Sequence, residues 1–145
     1  MVRIVSDTST LYSTAQAREA GFDVSPLSVT INGKTYREFD EIDSEEFVSI
    51  INQGHLPVSS QPAIGQVEEV YRKYPNDQIL NISMAHGLSG TYQSASAAAE
   101  LCEDQEISVI NSTTLCGPPR CMVETAVAMA KENKTLQGSW RRSTP

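Results

Sequence analysis

The sequence has little positive charge and no cluster of it. Its 11 Lys and Arg residues are outnumbered by 18 Asp and Glu residues, which gives a formal net charge of −7 at pH 7. No run of Lys and Arg is longer than two residues. Because binding to a phosphate backbone depends on clustered Lys and Arg, the sequence argues against a nucleic-acid partner.

Cysteine and histidine are scarce as well. The cysteines are Cys102, Cys116 and Cys121, and His55 and His86 lie far from them in sequence. A metal site would need more such ligands close together, so we expect free thiols and no bound metal. The odd count and low density of cysteines favour a reducing, cytoplasmic location.

Long apolar runs and the common phosphate-binding patterns are also absent. No apolar run approaches the roughly 20 residues needed to cross a bilayer. Neither Gly-x-x-x-x-Gly-Lys-Ser/Thr nor Gly-x-Gly-x-x-Gly occurs. What is present is 145 residues with 39% hydrophobic and 20% charged side chains. This length and composition predict one globular domain with a substantial core.

Short apolar stretches alternate with segments of helical periodicity along the chain. The predicted strands cover residues 2–6, 24–31, 34–36, 79–84 and 107–110. The predicted helices cover residues 14–20, a segment beginning at Asp43 or Ser44, and residues 63–74, 91–101 and 120–132. Residues 56–61 are expected to form a loop, and Phe47, Ile50 and Ile51 a buried helix stripe. The alternation predicts an α/β fold with a mainly parallel sheet flanked by helices.

Two serine-rich segments stand directly before predicted helices. They are residues 59–62, Ser-Ser-Gln-Pro, and residues 88–95, Leu-Ser-Gly-Thr-Tyr-Gln-Ser-Ala. Hydroxyls and free backbone N–H groups at a helix N-terminus form a good site for an anionic head group. The second segment follows an apolar strand, so it should face the crevice at the carboxyl end of the sheet.

Each candidate residue has a functional and a structural interpretation. Ser89 is interpreted as a hydroxyl that binds a carboxylate, with the N–H groups of Gly90 and Thr91 nearby. Gly90 is expected to leave room for the head group. The structural alternative is an ordinary helix-capping serine, which contributes about 1 kcal/mol. Ser59 is the second candidate and Ser60 a supporting residue, and their alternative is a loop that leads into the next helix.

Asp7 and the hydroxyl residues that follow it are interpreted as a turn and cap, because Asp, Ser and Thr side chains readily bond to their own backbone after a strand. The alternative is that Asp7 is a catalytic base or a metal ligand.

Together the two serine-rich segments resemble the paired signature of the DegV family of bacterial fatty-acid-binding proteins. Residues 4–9, 26–36 and 109–112 are similar, in order, to the family's first strand with its Asp-Ser turn, its hairpin and a later strand. The resemblance covers about residues 1–131. The sequence departs from the family at three places: at Ser59, which replaces the usual Thr; at Asn111, which replaces Asp; and at residues 116–120, which replace a glycine-rich turn.

This resemblance implies a carrier rather than an enzyme. A long-chain fatty acid would be held non-covalently, its carboxylate bound by Ser59 and Ser89, with Ser60, Gly90 and Thr91 in support. No catalytic residue, cofactor or metal is implied. Some relatives present the bound fatty acid to a separate kinase, so a fatty acid kinase is an expected partner.

The resemblance also implies that the chain is one part of a longer arrangement. We assign residues 1–135 to a DegV-like N-terminal domain with the family's second domain absent. Residues 136–145 are interpreted as an irregular tail from a truncated or frame-shifted reading frame. In the family the second domain covers the ligand, so this chain is expected to form only half of the site. Its uncovered apolar face predicts self-association.

Two other functions remain open from the sequence. Residues 87–91 nearly match the Gly-x-Ser-x-Gly nucleophile elbow, which would make Ser89 the nucleophile of a serine hydrolase. Thr91 stands at the fifth position, however, and no histidine follows Ser89. A small phosphorylated metabolite could bind the same helix N-termini, although no Lys or Arg lies beside either serine.

Overall fold

A computed structural model of the protein describes residues 1–132. Within this range the strands are β1 (Val2–Asp7), β2 (Asp23–Ser25), β3 (Ser28–Ile31), β4 (Lys34–Arg37), β5 (Val58–Ser60), β6 (Gln78–Ser83) and β7 (Ile107–Asn111). The helices are α1 (Thr14–Ala20), α2 (Ser44–Asn52), α3 (Ile64–Arg72), α4 (Thr91–Leu101) and α5 (Gly117–Lys131). The interpretation of residues 136–145 as a tail lies outside the described residues and stays a prediction.

The central sheet is parallel and has the order β2-β1-β6-β7. Alternation along the strands sends side chains to both faces, and each face carries its own core. One core includes Ile4 and Leu80 under α1 and α5, and the other includes Val5 and Ile79 under α3 and α4. The predicted α/β fold with a mainly parallel, helix-flanked sheet is therefore confirmed.

A second, antiparallel sheet has the order β4-β3-β5. Asn32 and Gly33 connect β3 to β4 with φ angles of 50° and 72°, as a tight hairpin requires. The prediction of one strand over residues 24–31 is wrong, because the chain changes sheets at Pro26. The prediction of a loop over residues 56–61 is also wrong, because β5 pairs there with β3.

The observed bounds of the helices agree with the predicted bounds more closely than those of the short strands do. Helix α4 has the predicted bounds, whereas α5 begins at Gly117, three residues earlier than predicted. Proline is tolerated in a first helical turn, so Pro118 and Pro119 belong to α5 rather than preceding it. The prediction of a buried stripe on α2 is wrong: Phe47 and Ile50 are half-buried and Ile51 is exposed, since Phe47 faces an open groove rather than a closed core. No helix within residues 1–132 is long and apolar enough to cross a membrane.

Candidate functional site

The site lies at the carboxyl edge of the parallel sheet, where β1 and β6 end. The Asp7 carboxylate accepts hydrogen bonds from the backbone N–H groups of Ser9 at 2.9 Å and Met84 at 3.0 Å. Asp7 thereby caps the short 3₁₀ turn at Thr8–Thr10 and ties the end of β1 to the end of β6. This geometry matches the interpretation of Asp7 as a turn and cap residue.

Ser89 lies in the turn that leads from β6 into α4, and its side chain is half-buried. Its Oγ atom lies 2.8 Å from Thr91 Oγ1 and accepts a hydrogen bond from the Thr91 backbone N–H at 3.2 Å. Thr91, the first residue of α4, is buried. The N-cap of α4 is Gly90, which makes no side-chain cap hydrogen bond, so the alternative of an ordinary N-cap serine at Ser89 is wrong. The Ser89 hydroxyl instead bonds to the first helical residue from one position before the cap.

Ser59 occupies the middle of the exposed edge strand β5. It pairs with Val29 of β3, and because paired residues in antiparallel strands point to the same face, both side chains line the same groove. Ser60 pairs with Ser28 and alternates to the opposite face. The structure therefore places Ser59 on the groove wall and directs Ser60 away from it.

The groove beneath the antiparallel sheet has a volume of about 430 Å³, within the range of ligand pockets. Much of its wall is apolar. Side chains from five parts of the chain contribute to this wall: Leu27, Val29, Phe39, Phe47, Met84 and Leu115. The sequence does not predict that these residues form one groove, because they are distant in the chain and share no local pattern.

Charged groups on the groove wall are acidic. Glu38 and Asp43 contribute carboxylates, and the wall contains no Lys or Arg among the described residues. Both carboxylates are engaged: Glu38 accepts a hydrogen bond from the Thr8 hydroxyl at 2.9 Å, and Asp43 caps α2 through the Glu46 N–H. An anionic head group in this region would therefore depend on neutral hydrogen-bond donors.

Gln61 links the two serine-rich segments. A Cβ atom built on Gly90 would lie 2.9 Å from Gln61 Nε2, 3.0 Å from Cδ and 3.3 Å from Oε1. The Gln61 amide thus rests against Gly90 and fills the space expected for a ligand head group. Ser59 and Ser89 are brought into neighbouring segments, although Ser89 does not itself line the groove.

The other polar candidates are His86 and the three cysteines. The ring of His86 packs edge-on against Tyr92 with 5.6 Å between centroids, and the His86 side chain is exposed. Cys102, Cys116 and Cys121 are all free thiols. No cluster of metal-ligating side chains occurs within residues 1–132.

Comparison with known proteins identifies the family. A family model described as "Uncharacterised protein, DegV family" matches residues 1–142. The chain belongs to the DegV family. It is 30% identical over 140 residues to a DegV domain-containing protein of Listeria innocua, covering 94% of this chain and 50% of that protein. It is also 35% identical over 114 residues to a 15.5 kDa DegV domain-containing protein of Staphylococcus aureus, covering 77% of this chain and 81% of that protein.

The fold is shared with solved members of the family. A structure described as fatty acid binding of a DegV family protein from Thermus thermophilus superposes with a TM-score of 0.88 at 26% identity. The superposition covers 98% of this chain and 51% of the Thermus protein. The chain therefore spans about half the length of this structure and of the Listeria relative, and most of the length of the short Staphylococcus relative.

Proposed function

We propose that this DegV-family domain binds a long-chain fatty acid non-covalently, with the acyl chain in the apolar groove and the carboxylate bound by Ser59 and Ser89. The observation that carries the proposal is the groove itself, an apolar channel with the Ser59 hydroxyl on its wall. The Gln61–Gly90 contact supports the inclusion of Ser89, because it brings the second serine-bearing segment next to the first. Gly90 and Thr91 serve as supporting residues beside Ser89, and Ser60, which points away from the groove, supports only the backbone of β5.

The chemistry of the groove favours a monocarboxylate with a long hydrocarbon tail. Each buried methylene contributes about 0.8 kcal/mol, so an acyl chain supplies most of the binding free energy without many polar contacts. The carboxylates of Glu38 and Asp43 would repel a phosphate dianion more strongly than a single carboxylate, and among the described residues the groove wall contains no Lys or Arg to offset them. Neutral hydroxyl and N–H donors are sufficient for one negative charge, which disfavours the alternative of a phosphorylated metabolite.

The proposal involves no bond-breaking step at Ser89. The described contacts of its hydroxyl are with Thr91 rather than with a histidine, and the His86 ring packs on Tyr92. A hydrolase would require a base in contact with the nucleophile. We propose instead a carrier that acts in the cytoplasm and, as the resemblance to the family implies, presents its fatty acid to a separate fatty acid kinase. The remainder of a full-length family member would complete the site.

The test is native mass spectrometry of the purified chain, followed by solvent extraction and titration with palmitic acid. We expect a co-purifying fatty acid in the unmodified chain and its loss in the Ser59→Ala/Ser89→Ala variant. The matched control is Ser49→Ala/Ser96→Ala, because neither helix serine lines the groove, and it should retain the fatty acid.

Stability measurements separate binding from folding in this test. Ser89→Ala should lower the free energy of unfolding by about 1 kcal/mol, because it removes one hydrogen bond, the one between the hydroxyl and the Thr91 N–H. Ser59→Ala should change it by less than about 0.5 kcal/mol, since β5 is exposed. A ligand-free chain that also fails to bind added palmitic acid would contradict the proposal for this domain alone.

A further inference from the structure

The side-chain amide of Gln61 occupies the space beside Gly90. All three heavy atoms of the Gln61 amide lie within 3.3 Å of the position that a Cβ atom on residue 90 would take. The backbone of Gly90 has φ −73° and ψ 4°, which L-amino acids tolerate. Glycine is therefore not needed there for its conformational freedom. The requirement is for space, and Gln61 uses that space.

The backbone on either side of Gln61 is anchored. Ser60 pairs with Ser28 in the antiparallel sheet, and Pro62 is almost completely buried before α3. In contrast, β5 has three residues, all exposed, so few contacts fix its position relative to the parallel sheet. The amide that rests on Gly90 connects this strand to the first turn of α4.

We propose that Gln61 is a positioning residue whose amide, seated on Gly90, fixes the spacing between the Ser59 strand and the Ser89 turn. This inference rests on the proposed function, because that spacing determines whether one carboxylate reaches both hydroxyls. Gln61 acts through the two serines and needs no contact of its own with the ligand.

The substitutions Gly90→Ala, Gln61→Ala and the double variant test this spacing. An alanine methyl at residue 90 would meet the Gln61 amide and push it away from the α4 turn, so the Ser59 strand should shift with it while the chain stays folded. Losing one hydrogen bond to a carboxylate weakens binding by roughly tenfold, so we expect about that loss of palmitic acid affinity in each single variant. The double variant should bind no more weakly than Gln61→Ala alone, since the methyl then meets no amide.

Gly87→Ala is the matched control. It lies in the same turn, and a Cβ atom there would meet nothing within 4 Å. This variant should keep the affinity of the unmodified chain. Additive losses in the double variant, or an equal loss in Gly87→Ala, would overturn the proposal.

A second readout needs no ligand and separates this proposal from the proposed function. In ¹H–¹⁵N spectra of the ligand-free chain, Gly90→Ala should shift the amide signals of Val58–Ser60, and Gly87→Ala should not. If the unmodified chain fails to bind palmitic acid, the proposed function fails, and these spectra alone decide the role of Gln61. Shifts confined to residues near position 90 would overturn that role.

Discussion

Asp7 ends β1 and is buried, with 2% of the residue exposed. Burial raises the pKa of this carboxyl above its ordinary value of 3.8, although hydrogen bonds from Ser9 and Met84 act in the opposite direction. A folded-state pKa above the unfolded value means that the folded protein binds the proton more tightly. The associated stabilisation is complete below the unfolded pKa and is lost as the pH rises through the folded pKa.

We therefore expect the free-energy difference between the unmodified chain and Asp7→Asn to be larger near pH 4 than at pH 7. Asparagine keeps one acceptor oxygen, so one of the two backbone N–H groups loses its partner, at a cost of about 1–3 kcal/mol. Urea unfolding followed by circular dichroism at several pH values measures both effects.

Asp77→Asn is the control with the opposite sign. The hydrogen bond from Arg3 is the largest cause that lowers the pKa of Asp77, so its stabilisation is present above the unfolded pKa and is lost as the pH falls. The difference between the unmodified chain and Asp77→Asn should grow with pH. A difference for Asp7→Asn that also grows with pH would show that the ionised Asp7 is the stabilised form.

At the scale of elements, the start of α5 is an unusual backbone turn. Cys116, its N-cap residue, has φ 62° and ψ −111°, a conformation that costs an L-residue about 1–3 kcal/mol. We expect Cys116→Gly to be more stable than Cys116→Ala by about 1 kcal/mol. Both variants lose the thiol, so the comparison isolates the effect of Cβ.

The matched pair is Cys121→Gly and Cys121→Ala, within the same helix. In a helix interior glycine is less stable than alanine by about 1 kcal/mol, so the order should reverse. Thermal and urea unfolding of the four variants supply the comparison. The same order at both positions would show that the positive φ at Cys116 carries no strain.

Elements with strong local signals are predictable from the sequence, and those that depend on distant partners are not. Ser13 and Gly21 mark the two ends of α1, and the structure shows a capping box at Ser13 and a φ of 97° at Gly21. In contrast, β5 is three exposed residues that become a strand only by pairing with β3. Its neighbours in sequence carry no sign of that pairing, so a loop is the natural prediction.

The candidate site also has parts that can be predicted from the sequence and parts that cannot. Ser59 and Ser89 can be selected as candidates from the sequence because each belongs to a short motif before a helix, and their role in binding stays a prediction. The apolar groove cannot be selected in this way, because its wall combines Phe39, Phe47 and Leu115 from separate segments. The Gln61–Gly90 contact also joins distant positions, and nothing local in either segment indicates that one side chain fills the space beside the other.

At the scale of the whole molecule, exposed apolar side chains favour association between copies of the chain, and the net charge opposes it. Leu11, Phe39 and Leu115 all line the groove and remain 40–50% exposed. Burying such side chains between two copies is favourable, at about 25 cal/mol per Å² of apolar surface. Each copy, however, carries a formal charge of −7, and this repulsion opposes association at low ionic strength.

This opposition predicts self-association that strengthens as salt is added. The Debye length falls from about 30 Å at 0.01 M to about 10 Å at 0.1 M, so salt screens the repulsion while leaving the apolar contact intact. Sedimentation equilibrium at several salt concentrations measures the dissociation constant. Leu115→Ser should weaken association, whereas Leu101→Ser, an exposed leucine outside the groove, should not. A chain that remains monomeric at high concentration and high salt would show that the exposed groove is not a contact surface between copies.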